Sequence, residues 1–167
     1  MKDCFNRFSV RFLAVLVLGL ALLLLHGISA GPLAGVFAPR CAAPWELSKL
    51  AYWPMLAAMA LTGGLSGGVG RTLRRAAPWL ALTPAALFLT FWLVSRLRPA
   101  GGVYLLLWVV AAAVETALAE REERASRIWI PAAIALGALY VILAFFPPAF
   151  GPFLDPASAA AMGTIPC

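Results

Sequence analysis

Apolar residues run through this chain in five long blocks separated by short polar segments. The first begins at Phe12, is aliphatic to Leu25, and continues past His26 and Gly31 to about Ala38. The others cover about 50–69, 77–95, 100–119 and 128–146. Each approaches the roughly 20 apolar residues that carry a helix across a hydrocarbon core. Lipid offers backbone groups no partners, so such segments are predicted to be helices; nothing alternates with period two, which excludes a barrel. The pattern predicts an all-α, polytopic membrane bundle of about five transmembrane helices, a single integral membrane domain over residues 1–167.

Composition agrees. The chain is 63% hydrophobic and 12% charged, with mean hydropathy +0.91. Soluble domains run at about 45–50% apolar and about 25% charged. The net charge of +6 would suggest nucleic acid in a soluble protein. Here the bases lie between apolar blocks, where they set orientation and meet lipid headgroups. Membrane lipids are therefore the expected partners, and nucleic acid is not.

Lys2, Arg7, Arg11, Arg71, Arg74, Arg75, Arg121, Arg124 and Arg127 fall on one side of the predicted topology, against Arg40, Lys49, Arg96 and Arg98 on the other. The positive-inside rule then predicts a cytoplasmic N-terminus and an external C-terminus in a bacterial cytoplasmic membrane. Lys2, Arg7 and Arg11, the 12–25 core and Ile28-Ser29-Ala30 also fit a cleavable signal peptide. The apolar run past Ala30 favours a retained span, and cleavage would leave the other four helices oriented as before.

Gly63/Gly67 and Gly64/Gly68 form two small-xxx-small pairs at the end of the second block, suited to close helix packing. Packing within the chain is the preferred reading and a homodimer contact the other. A phosphate loop is excluded because the Gly-Lys-Ser/Thr order is missing. Pro84 should kink the third helix, whereas Pro54 and Pro131 are expected within or near first turns. Trp45, Trp53, Trp79, Trp92, Trp108 and Trp129 mostly sit near span ends, as an aromatic belt would. Glu115 is the only acid well inside an apolar run. About one turn from Glu120, it is expected to pair or reach the surface, with a proton or cation pathway as the alternative.

Several polar groups are predicted to share the outer side. Pro44-Trp45-Glu46 reads as a helix start, and Glu46 and Lys49 have the i, i+3 spacing of a pair. His26 and Asp155 join them there, so His26, Glu46 and Asp155 are weak candidates for a catalytic site. The structural alternatives are a helix contact for His26, a capping pair for Glu46 and a turn before Pro156 for Asp155. No metal-ligand spacing, C-x-x-C pair or cofactor motif occurs, and no metal or cofactor is expected. Cys41 and Cys167 share the outer side and can pair in an oxidising exterior. Cys4 would remain inside.

His26 closing the first apolar run, Trp45-Glu46-Leu47-Ser48-Lys49 with Pro54, Pro147-Pro148, and Phe153-Leu154-Asp155-Pro156 before Gly163-Thr164-Ile165 occur in a fixed order. In this the chain resembles an uncharacterised family of small bacterial multi-pass membrane proteins, mainly of Gram-positive anaerobes, classed as a domain of unknown function. That family favours Asn-Glu-Ser before the Trp-Glu pair and His after it. This chain has Cys41-Ala42-Ala43 and Leu47 there. The resemblance implies a multi-pass fold in the cytoplasmic membrane and no particular activity.

Three functions follow as expectations. The first is a non-enzymatic scaffold or accessory subunit that binds lipid, another membrane protein or a second copy. The second is a small transporter using Glu115, and the third a membrane enzyme at the outer face.

Overall fold

Proline and glycine decide where this apolar chain changes direction. In the computed structural model, residues 2–25, 32–65, 68–97, 101–121, 128–148 and 153 are described. They form six helices: α1 Lys2–Leu25, α2 Pro32–Phe37, α3 Pro44–Leu65, α4 Val69–Ser95, α5 Gly101–Arg121 and α6 Trp129–Phe145. Among the described residues the first apolar block thus holds two helices. α1 ends at Leu25, and a separate short helix opens at Pro32, whose ring suits a first helical position and not a continuing helix. The second block also ends early, because Val69 already belongs to α4.

Among the described residues, Asn6–Leu25, Val69–Ser95 and Gly101–Arg121 are long and apolar enough to cross a membrane, and Trp129–Phe145 is a shorter apolar helix. α3 is as long as these, at 22 residues, but Glu46, Lys49 and Pro54 interrupt its apolar run. Its position explains why that is tolerated. α3 packs most extensively on α4 and also touches α1 and α5, while α6 packs on α4, and α2 on α6. Residues on every side of the first three turns of α3 are buried, from Trp45 and Leu50 to Met55, and one face stays buried through Met59 to Gly63. A helix enclosed by other helices does not need a continuous lipid-facing surface.

α3 and α4 approach closely at Gly63, in the last turn of α3, where an added Cβ would stand 2.9 Å from the Val69 Cα. Gly68 caps α4 and donates its N–H to the Gly63 carbonyl at 2.9 Å. Because α3 stops at Leu65, Gly64 and Gly68 do not share a helix face, and Gly67 lies outside the described residues. Among the described glycines there, only Gly63 has a close interhelical approach, within the chain and against α4.

Pro54 lies in the interior of α3 and not in a first turn. Having no N–H, it leaves the Leu50 carbonyl without its helical donor. The indole of Trp108 on α5 supplies the missing bond, Nε1 donating to Leu50 O at 2.9 Å. Trp108 is 1% exposed, and Gly19 of α1 makes room for its ring, which a Cβ at that position would strike. Trp45 is likewise enclosed. The aromatic belt therefore loses two of its expected members to the core.

If Trp108 answers for Pro54, their effects must be coupled. Trp108→Phe should cost about 1–3 kcal/mol for the stranded carbonyl. Pro54→Ala restores an N–H to the helix and should remove roughly 1 kcal/mol of that penalty in the double variant. Thermal unfolding in detergent measures the cycle, and strictly additive single and double variants would disprove the link.

Candidate functional site

The charged residues at the α2–α3 end form a closed lock. Glu46 and Lys49, one turn apart near the start of α3, are both 0% exposed and paired at 2.8 Å. Glu46 uses both oxygens: Oε1 accepts from Lys49 Nζ, and Oε2 accepts the Arg40 backbone N–H at 3.0 Å. Lys49 also donates to the Gly35 carbonyl at 2.6 Å, in the last turn of α2. Its ammonium lies 4.1 Å from the Trp45 ring centroid. Arg40 donates through Nη1 to the Ala144 carbonyl at the end of α6, 3.2 Å away. Two cations thus meet the C-terminal carbonyls of two helices, where the helix dipole favours positive charge.

A second polar link lies just below. Ser48 donates to the Trp45 carbonyl at 2.7 Å, so the Tyr140 hydroxyl, also 2.7 Å from Ser48 Oγ, is the donor in that pair. Tyr52 donates to the Ala133 carbonyl at 2.8 Å. These bonds hold α6 against α3.

Of the outer residues singled out by the sequence, Glu46 is committed to this lock, while His26, Asp155 and Cys167 lie outside the described residues. Cys41 is disulfide-bonded. The segment after α6 returns to the lock: the Phe153 ring packs 5.8 Å from Trp45 and 6.2 Å from Phe88. Trp-Glu-x-x-Lys and the start of Phe-x-Asp-Pro therefore meet through their aromatic residues.

Glu115 behaves differently. The expectation that it pairs or reaches the surface is overturned: it is 0% exposed. Neither carboxyl oxygen has a hydrogen-bond partner among the described residues. It shares the inward face of α5 with Trp108, Ala112, Thr116 and Ala119, and Ala112 and Ala119 belong to the main apolar core.

Glu120, little more than one turn on, crosses the bundle to pair with Arg11 of α1. Arg11 Nε also donates to Thr62 of α3 at 3.1 Å. This clamp joins α1, α3 and α5 at the end opposite the lock. The sequence carried a signal for it: Arg11 and Glu120 each border an apolar block on the same predicted side.

Around the clamp opens a cavity of about 560 Å³, lined by arginines from α1 and α4. A smaller apolar groove of about 260 Å³ lies between α3, α4 and α6. Glu115 lines neither. Comparison with known proteins finds no matching family model, no similar curated protein and no similar solved structure.

Removing one member of the lock should be severe. Lys49→Met leaves a buried carboxylate without its counter-charge and should destabilise by about 3–5 kcal/mol, while Glu46→Gln/Lys49→Met recovers much of the loss. Membrane abundance and melting temperature report both, and a Lys49→Met protein as stable as the parent would contradict the assignment.

Proposed function

We propose that this chain is a five-span protein of the bacterial cytoplasmic membrane, N-terminus inside, acting as a non-enzymatic scaffold or accessory subunit. The observation that carries this reading is the closure of the lock: Glu46 and Lys49 are fully enclosed and bonded to backbone and to each other. A catalytic acid needs access to its substrate, and Glu46 has none. What the molecule offers outward is apolar side chains such as Leu13, Val17, Leu106, Val110, Ile134 and Ile142, suited to lipid, another membrane protein or a second copy.

The five-span path is supported by the alternation of ends. Arg11 just before the apolar run of α1, Thr62 near the end of α3 and Glu120 near the end of α5 meet, while Arg40, Lys49 and Ala144 lie together at the other end. The Cys41 disulfide supports placing the second end in the oxidising exterior. Cys4 stands on the first end, which leaves Cys167 as the natural partner. The motif resemblance favours the same multi-pass reading.

Impermeant thiol labelling of intact cells tests the topology. Cys41 and Cys167 should react from outside only after reduction, and Cys4 only after lysis. Cys41 and Cys167 labelling from opposite sides would discard the five-span path.

A second reading, transport through Glu115, is favoured by that residue's enclosed and unpartnered carboxyl. An unpaired charge at mid-bilayer costs roughly 3 kcal/mol on insertion scales, so a group there takes up a proton or a cation. Reconstituted vesicles carrying an internal pH dye separate the two. The accessory reading expects parent and Glu115→Gln to be equally tight to protons. A flux present in the parent and lost in folded Glu115→Gln would establish transport instead.

A further inference from the structure

We infer that the arginine-lined cavity is a binding site for a phosphate-bearing anion, either the phosphodiester headgroup of an acidic lipid or a free phosphate. Arg7 and Arg11 stand four residues apart on α1, Arg71 and Arg75 four apart on α4, and all four line the same cavity. Asn6, Thr62 and Thr72 add polar groups, and among the described residues no acid lines it. Like charges at i, i+4 repel, and here two such pairs face one space.

Arg11 is fixed in place by Thr62 through Nε and by Glu120 through Nη1, which leaves Nη2 outside the clamp. Arg7, Arg71 and Arg75 make no ion pair or side-chain hydrogen bond among the described residues. A cavity lined by one held guanidinium and three unengaged ones is complementary to phosphate, whose oxygens accept the paired N–H bonds of arginine.

Two further features point the same way. The start of α4 borders the cavity at Gly68, which has no side-chain cap, and the first turn of α4 contains no acid. The positive end of the helix dipole is therefore not offset by the protein itself. The volume, about 560 Å³, lies within the roughly 300–1,000 Å³ of ligand pockets and exceeds what a single small ion fills. Arg74, on the same helix, lies instead on the apolar groove between α3, α4 and α6, so the cluster is a selected subset of the basic residues at that end.

The choice of leaflet rests on the orientation proposed above, which sets the cavity against the anionic cytoplasmic surface. The charge arrangement does not depend on it.

The test uses the purified full chain in neutral detergent, titrated with short-chain phosphatidylglycerol, short-chain phosphatidylcholine and inorganic phosphate. Phosphatidylglycerol should bind in preference to phosphatidylcholine. Arg71→Gln/Arg75→Gln should weaken it by about tenfold or more, through lost charge-assisted bonds. Arg74→Gln/Arg121→Gln removes the same charge outside the cavity and should stay within about twofold. If Arg71→Gln/Arg75→Gln does not fold, Arg7→Gln at an exposed position replaces it, with about threefold weakening expected and unchanged binding counting against the site.

Competition by inorganic phosphate supports a free phosphate as the source; binding of the lipid without such competition supports the headgroup. No preference over phosphatidylcholine, or equal weakening in both double variants, overturns the site. Because orientation has no influence in detergent, an incorrect topology would leave this result unchanged.

Discussion

One carbonyl organises the centre of this molecule. Pro54 leaves Leu50 O without a helical donor in the middle of the most enclosed helix. Neither water nor lipid reaches it there, and a buried carbonyl without a partner is costly. The bond from Trp108 meets that need at 2.9 Å and sets the height of α5 against α3. The indole in turn needs space, and only a residue without a Cβ grants it at Gly19. A proline, a tryptophan and a glycine on three helices are thus parts of one arrangement. Moving any helix along its axis breaks it.

The lock at the other end of α3 follows the same rule with charges. A buried ion pair adds little stability over apolar residues of the same volume. What Glu46 and Lys49 provide is register. Glu46 fixes the Arg40 backbone, Lys49 ends α2, and the Arg40 side chain ends α6. Helices that are apolar on all sides slide easily against one another, and directional bonds to backbone groups hold them where apolar packing alone would not. Glu115 marks the limit of that principle, since it is as enclosed as Glu46 but its carboxyl bonds to nothing among the described residues.

The sequence made the apolar blocks legible, along with the start of α3 at Pro44 and the Glu46–Lys49 pair at its helical spacing. Those features depend on neighbours along the chain. It left the bonds between distant residues hidden for a physical reason. α5 and α6 are apolar almost all round, so no amphipathic stripe distinguishes an inward residue such as Trp108 from a lipid-facing one such as Leu106. The division of the first block was partly legible in Gly31-Pro32, but uniform hydropathy on either side outweighed that local signal. Glu115 was visible as an anomaly; its depth was not, because distance from Glu120 along the helix does not reveal what α1, α3 and α4 place over it.

The two ends of the bundle differ in what they leave open. At the lock, each charged group named above is turned to a backbone carbonyl, an amide or the opposite charge, and the Phe153 segment packs over Trp45. At the clamp, one arginine is held and three more face a cavity that no acid lines among the described residues. Arg7 and Arg71 are exposed, so water and headgroups screen part of their repulsion. Gathering the four from α1 and α4 around a shared space keeps the rest of it, while the Arg11–Glu120 pair anchors α1 to α5 there. A bound anion would turn that mutual repulsion into attraction across the cavity and brace α1 against α4, so ligand binding and the packing of that end become a single equilibrium.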